Sequence, residues 1–432
     1  MTLRHPQDAG AVTLSPTLDQ ATRVSWKTPI AFTLFTIVSA LLFIGLSNDG
    51  QALFQFSPAG DAWQIPVLLF ASRPVGVVGV ALLALISIVS IWLTFRRRRT
   101  PLWLAAIYIA VLLVAFLAWA ASSAQTNVIP LAGLLAGSLS LAVPLVYGSL
   151  AGVIGERVGV VNIAIEGQLL FGAFSSALVA SITGSVWAGL IAAAVAGVLV
   201  GMVLAVFSIK YFVDQIIVGV VLNVLIVGLT SFLYSELLTP NAATLNTPPR
   251  FEVWAIPGLA DIPLIGPMLF RQTPIVYLAY IAVFLVWWGL FRTRWGLRLR
   301  SVGEHPTAAD TVGINVERTR FWNVSLAGGI AGLGGSFYTL GLVGAFGQEM
   351  TNGAGYIALA AVIFGKWHPV RAALAALLFG FTTSLQNTLS IIGSPVPSQF
   401  MLMLPYVVTI LAVAGFVGAS RGPAAAGQPY IK

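Results

Sequence analysis

Apolar residues fill the chain in long runs, broken by short segments rich in polar residues, glycine and proline. A helix needs about 20 apolar residues to cross a bilayer core. Twelve runs approach or reach that length, at roughly 29–47, 74–95, 101–121, 128–154, 158–181, 185–208, 213–234, 273–291, 321–344, 354–365, 370–391 and 398–418. The pattern predicts an all-α, polytopic membrane bundle of about twelve spans, within a range of eleven to thirteen. The tenth run is too short for a full crossing. It either extends back through 347–353 or forms a broken or re-entrant element, which hydrocarbon tolerates only where protein or water covers the backbone. The lead-in 1–28 is polar, with Pro, Thr, Asp and Gln, and reads as a disordered tail. No small-residue cleavage pattern follows the first apolar run, so it reads as a retained span.

Charge orients these spans. Only 8% of the 432 residues are charged, against about 25% in soluble domains. With the N-terminus inside and all twelve segments crossing, 19 of the 22 Lys and Arg fall on the inner side. Only Arg73, Arg250 and Arg271 fall outside. Lys and Arg stay on the cytoplasmic side of bacterial inner-membrane proteins, so both termini are expected there. The net charge of +8 therefore reads as orientation and not as nucleic-acid binding. Two loops are long: 235–272 outside, and 292–320 inside and strongly basic. The expected organisation is a tail 1–28, a block of three extra spans over 29–121, a core over 128–420 and a tail 421–432.

Chemistry is sparse. There are no cysteines and three histidines, His5, His305 and His368, none with a partner at metal-ligand spacing. His305 and His368 fall in loops, where a solvated ring is expected. No phosphate-cradling Gly-x-x-x-x-Gly-Lys-Ser/Thr and no Gly-x-Ser-x-Gly elbow occurs, so the chain reads as non-enzymatic, and ATP and Mg, if used, belong to another subunit. Glu166 is the carboxylate inside an apolar run, with Asn162 one turn earlier on the same predicted helix face. It either lines a solvated pathway or fixes packing. Gln215, Gly219 and Asn223 share one face of the seventh span. Thr382, Thr383, Ser384, Gln386 and Asn387 cluster in the eleventh, as pore lining or as interhelical glue. In the ninth span Ser325/Gly329, Gly328/Gly332 and Ala331/Gly335 repeat a small-xxx-small spacing that lets backbones approach.

The inner loop holds Pro306, suited to a first helical turn, and Gly313, suited to a stop. The two turns between them form a short helix standing out of the membrane. A helix in that position is suited to dock on a motor subunit.

Gly303, Glu304, His305, Pro306, Ala308, Ala309, Asp310, Gly313 and Ile314 resemble the coupling-helix loop of ABC importer permeases of the branched-chain amino acid, ribose and nucleoside superfamily. Gly155, Glu156, Arg157, Gly159, Asn162, Glu166, Gly167 and Gly172 resemble the signature of its nucleoside branch. Gly355, Tyr356, Gly365, Lys366 and Pro369 look like a third shared element. The resemblance implies a second homologous permease, a cytoplasmic ABC ATPase, an external lipoprotein receptor and a nucleoside as small-molecule substrate, with simple sugars as the neighbouring class. It implies coupling to the ATPase through Gly303, Glu304, Ala308, Ala309 and Gly313. Asn162 and Glu166 match its polar helix; with Asn223, Gln386 and Asn387 they are the candidate pathway or core polar residues. The family loop often has Asn where this chain has His305. An ion-coupled transporter driven through Glu166 is the rival; it predicts discontinuous helices at related positions in two halves.

Overall fold

A computed structural model describes residues 26–47, 49–57, 63–394, 396–397, 399–400, 403, 406 and 422–431. Ten helices among them are long and apolar enough to cross a membrane. Most of the predicted span at 398–418 and most of the lead-in lie outside the described residues.

The chain divides into two compact units. The first, 1–52 with 70–123, contains α1 (Lys27–Ala40), α2 (Ser72–Phe95) and α3 (Leu102–Ser122). Its helices carry almost no polar face, so a few buried hydroxyls fix their pairing. Thr36 Oγ1 lies 3.0 Å from both Ser87 Oγ and the Tyr108 hydroxyl. That hydroxyl donates to the Phe32 carbonyl at 2.8 Å, and the two rings stack at 4.1 Å.

The second unit, 53–69 with 124–432, is built from α4 (Leu131–Arg157), α5 (Ile165–Thr183), α6 (Val186–Ala205), α7 (Gln215–Leu233), the one-turn α8 (Ala242–Leu245), α9 (Pro274–Arg292), α10 (Arg294–Glu304), α11 (Pro306–Thr311), α12 (Val316–Ser336), α13 (Ala354–Phe364) and α14 (Pro369–Ile391). Strands are short: Leu53, Phe54 and Gln55 pair in parallel with Val128, Ile129 and Pro130, and Trp254–Ala255 pairs antiparallel with Arg271–Gln272.

The small-residue stripe of α12 behaves as its spacing predicts. A Cβ on Gly328 would strike the Gly197 carbonyl of α6, and one on Gly335 would strike the Leu169 carbonyl of α5. Backbone contact of this kind replaces the hydrophobic drive that helices lack inside lipid.

One predicted span is corrected, and the alternatives left for another are decided. The fifth does not begin at 158: residues 158–164 are irregular, and α5 starts at Ile165. Asn162 and Glu166 are therefore not successive positions on one helix face. The tenth is the short element. At 11 residues and 1.5 Å per residue, α13 is about 16 Å long, half of a hydrocarbon core. The chain reaches it through an irregular segment, 344–353, that turns on Gly344 and Gly353, both in the left-handed region at φ +81°. This is the broken element that the short run at 354–365 allowed for.

Candidate functional site

The loop between α9 and α12 is a folded unit. Thr293 is extended and ends α9; its hydroxyl donates to Gly289 O at 2.6 Å and accepts from Gly296 N at 3.2 Å, which starts α10. α10 is amphipathic, with Leu299 and Val302 buried and Arg294 and Arg298 exposed. Pro306 opens α11 at its first position, where a missing N–H costs nothing. A Schellman cap closes it: Gly313 N donates to Asp310 O at 2.9 Å and Ile314 N to Ala309 O at 3.0 Å, with Gly313 at φ +84°. That conformation disfavours any side chain at Gly313.

The loop residues divide by facing. Ala308 and Gly313 are exposed, as are Thr307, Thr311 and Val312. Val312 is 74% accessible, which is unusual for a valine at the tip of an ordered loop. Ala309 and Gly303 face inward. A Cβ on Gly303 would strike the Arg157 carbonyl, so glycine there lets the loop sit against the end of α4. Glu304 is exposed, with Oε1 4.0 Å from Arg157 Nη1.

The C-terminal segment crosses the base of this loop, an element that the sequence did not reveal. Ala425 N donates to Gly303 O at 2.9 Å, and Ala424 N to Glu304 Oε2 at 3.3 Å. Arg320, 2% accessible, donates from Nη1 to Gln428 O at 2.9 Å. The Tyr430 phenol is pushed above its ordinary range by lost hydration and by its hydrogen-bond partner Asp310 on α11. His368 is not a solvated ring. It stacks on Phe291 at 5.1 Å, and its pKa is lowered, first by burial and then by the Arg371 and Arg157 charges.

The second cluster lies where the two broken segments meet. Glu166, in the first turn of α5 and 7% accessible, accepts from Thr351 Oγ1 at 2.7 Å, Gly353 N at 2.9 Å and Gly355 N at 2.6 Å. It caps α13, where the helix dipole favours a negative group. A Cβ on Gly355 would run into the backbone of Glu166. Asn223 on α7 holds the other broken segment: its Oδ1 accepts from Gly167 N at 2.8 Å, and its Nδ2 donates to Ile163 O at 2.9 Å and to the Tyr356 hydroxyl at 3.1 Å. Gln215 Oε1 accepts from Val161 N at 2.8 Å. Asn162 is fully buried and bonded both ways to Gln168, at 3.0 and 3.3 Å. Glu166, Gln215 and Asn223 together answer five backbone groups of the two broken segments, at Val161, Ile163, Gly167, Gly353 and Gly355, which irregular backbone leaves without helical partners.

Gln386 and Asn387 do not join that cluster. On α14, Ser384 is buried and donates to Leu134 O of α4 at 2.8 Å, which is the glue role. Thr383 and Gln386 are half-buried and Asn387 and Ser390 exposed, at the spacing of one helix face. A polar stripe exposed on a membrane helix calls for water or a partner. Gln348, Glu349, Asn352 and Tyr356, in and after the segment leading to α13, are also exposed.

The model of the family described as "Branched-chain amino acid transport system / permease component" matches residues 134–413. The chain belongs to this family. Among curated relatives of this permease, the guanosine ABC transporter permease protein NupQ of Bacillus subtilis (strain 168) is 43% identical over 308 residues, 68% of this chain and 95% of NupQ. The nucleoside ABC transporter permease protein NupC of Lactococcus lactis is 40% identical over 312 residues, 69% of this chain and 96% of NupC. A permease named provisionally for glucose, TsgC13 of Haloferax volcanii, is 35% identical over 285 residues, 65% of this chain and 85% of TsgC13. The same bacilli and lactococci have second permeases, NupP and NupB, that match at 26% and 24%. No solved structure matches the chain. It is a multi-pass membrane permease subunit and not an enzyme.

Proposed function

We propose that this permease is one half of the channel of an ATP-driven nucleoside importer. The observation that carries the substrate class is its identity of 43% and 40% to permeases named for guanosine and nucleosides. The other half of the channel is a second, distinct permease, as the paired relatives suggest. A cytoplasmic ATPase holds ATP and Mg and docks on the exposed face of α11; an external lipoprotein delivers substrate to the opposite side. Both termini lie in the cytoplasm of the bacterial inner membrane, on the side of the basic loop.

In this reading the stripe on α14 that includes Gln386 and Asn387 faces the pathway. ATP-driven closure of the motor moves α11, and the permease pair changes which side it opens to. The broken helices do not make it a gradient-driven carrier. A carrier driven through Glu166 needs that carboxylate free to exchange a cation, and it is occupied by three donors.

The test is transport by the importer purified from its own membrane and reconstituted in vesicles. Uptake of labelled guanosine that requires ATP and continues with ion gradients collapsed is the expected result. ATP-dependent uptake of glucose with none of guanosine would move the chain to the sugar class. Guanosine uptake driven by an ion gradient without ATP would overturn the proposal.

A further inference from the structure

We propose that the arginine turn of the N-terminal unit is a binding site for anionic phospholipid headgroups. The family match begins at residue 134, beyond this unit, so the inference goes past the transport role and does not depend on it. α2 ends in Arg96, Arg97, Arg98 and Arg99, all exposed. Among the described residues no carboxylate pairs with them.

The turn is built and ordered. Arg97 N donates to Thr94 O and Arg98 N to Leu93 O, both at 2.9 Å, which is a Schellman cap. The residue in its left-handed position is Arg97, at φ 56°. Glycine fills that slot with less strain, yet the chain keeps a fourth guanidinium there. The far side of the turn is pinned by Thr100 Oγ1, 2.8 Å from Ser90 Oγ.

Aromatic rings mark the depth. The Arg96 guanidinium lies 4.2 Å from the centre of the Trp92 ring, a cation–π arrangement. Trp26 meets Phe95 edge-on at 5.0 Å, and Trp103 is exposed just beyond the turn. Exposed tryptophans at the end of an apolar helix sit at headgroup level. The arginines therefore lie where lipid phosphates lie, and guanidinium binds phosphate in two-pronged fashion. Orientation alone needs only positive charge, with no ordered turn and no strained arginine. The site is an open surface with no enclosing backbone cradle, which favours a headgroup held by its bilayer over a free phosphate.

The test uses the full chain in nanodiscs of mixed phosphatidylcholine and phosphatidylglycerol, with retained lipid read by native mass spectrometry. Phosphatidylglycerol should be enriched around the wild type. Each basic residue near an anionic surface is worth about fivefold in partitioning. Changing all four arginines to Gln should remove the enrichment, and changing all four to Lys should keep only the part that charge alone supplies. Because the Gln variant also removes charge that orients insertion, Arg97→Gly is the second probe. It relieves the backbone and removes one charge, so enrichment should fall while thermal stability holds or rises. Equal retention of the two lipids by the wild type, or enrichment unchanged in both the Gln and Gly variants, would overturn the proposal. So would displacement of the lipid by inorganic phosphate but not by chloride of equal ionic strength, or an acidic protein bound there without lipid preference.

Discussion

At the scale of single residues, the buried polar groups repair broken helices. Glu166 replaces the missing first-turn acceptors of α13, and Asn223 satisfies the backbone on either side of the start of α5. Glu166→Ala would leave a hydroxyl and two backbone N–H groups unpaired, at about 3–5 kcal/mol. Glu166→Gln keeps one acceptor oxygen but turns an amide donor toward an N–H, at about 1.5–3 kcal/mol. Unfolding of the detergent-solubilised protein should rank wild type above Gln and Gln above Ala. Equal stability of all three would remove the capping role. That Glu166 and Asn223 needed partners was legible, because polar groups in apolar runs require a reason. Their partners were not: Thr351 lies 185 residues from Glu166, and backbone donors leave no mark in a sequence. The shared face for Asn162 and Glu166 failed because helical periodicity was extended across 158–164, where Gly159 at φ +94° turns the chain.

At the scale of elements, α11 was readable from Pro306 and Gly313, and the packing of α12 from its repeated small residues, because each signal is local. α10 was not read, since its charged face made it look like loop. The C-terminal strap was invisible, because it binds mainly through main-chain groups, which any sequence has. It ties the end of α10, at Gly303 and Glu304, to Arg320 on α12, the two sides of α11, so it should limit how α11 moves. Deleting 422–432 should leave the spans inserted, free the buried Arg320 charge and raise amide hydrogen exchange over 294–314. Losing a hydrogen bond to a charged group costs about 1.5–3 kcal/mol, enough to raise that exchange by about 10- to 150-fold. Exchange unchanged in the deletion would show that the strap restrains nothing.

At the scale of the whole molecule, the chain forms two compact units. The second holds the family match, the broken helices and the loop between α9 and α12; the first holds the arginine turn. In the proposed function the engine is another subunit, and α11 is where its force should enter. Because the chain has no cysteine, Ala308→Cys places one thiol on the exposed face of α11 and nowhere else. Cross-linking from that thiol in native membranes is the most direct test. The account predicts a covalent product with a nucleotide-hydrolysing subunit, whose yield changes when ATP is trapped. A thiol labelled by impermeant reagent from outside the cell, or cross-linked to no such subunit, would contradict it.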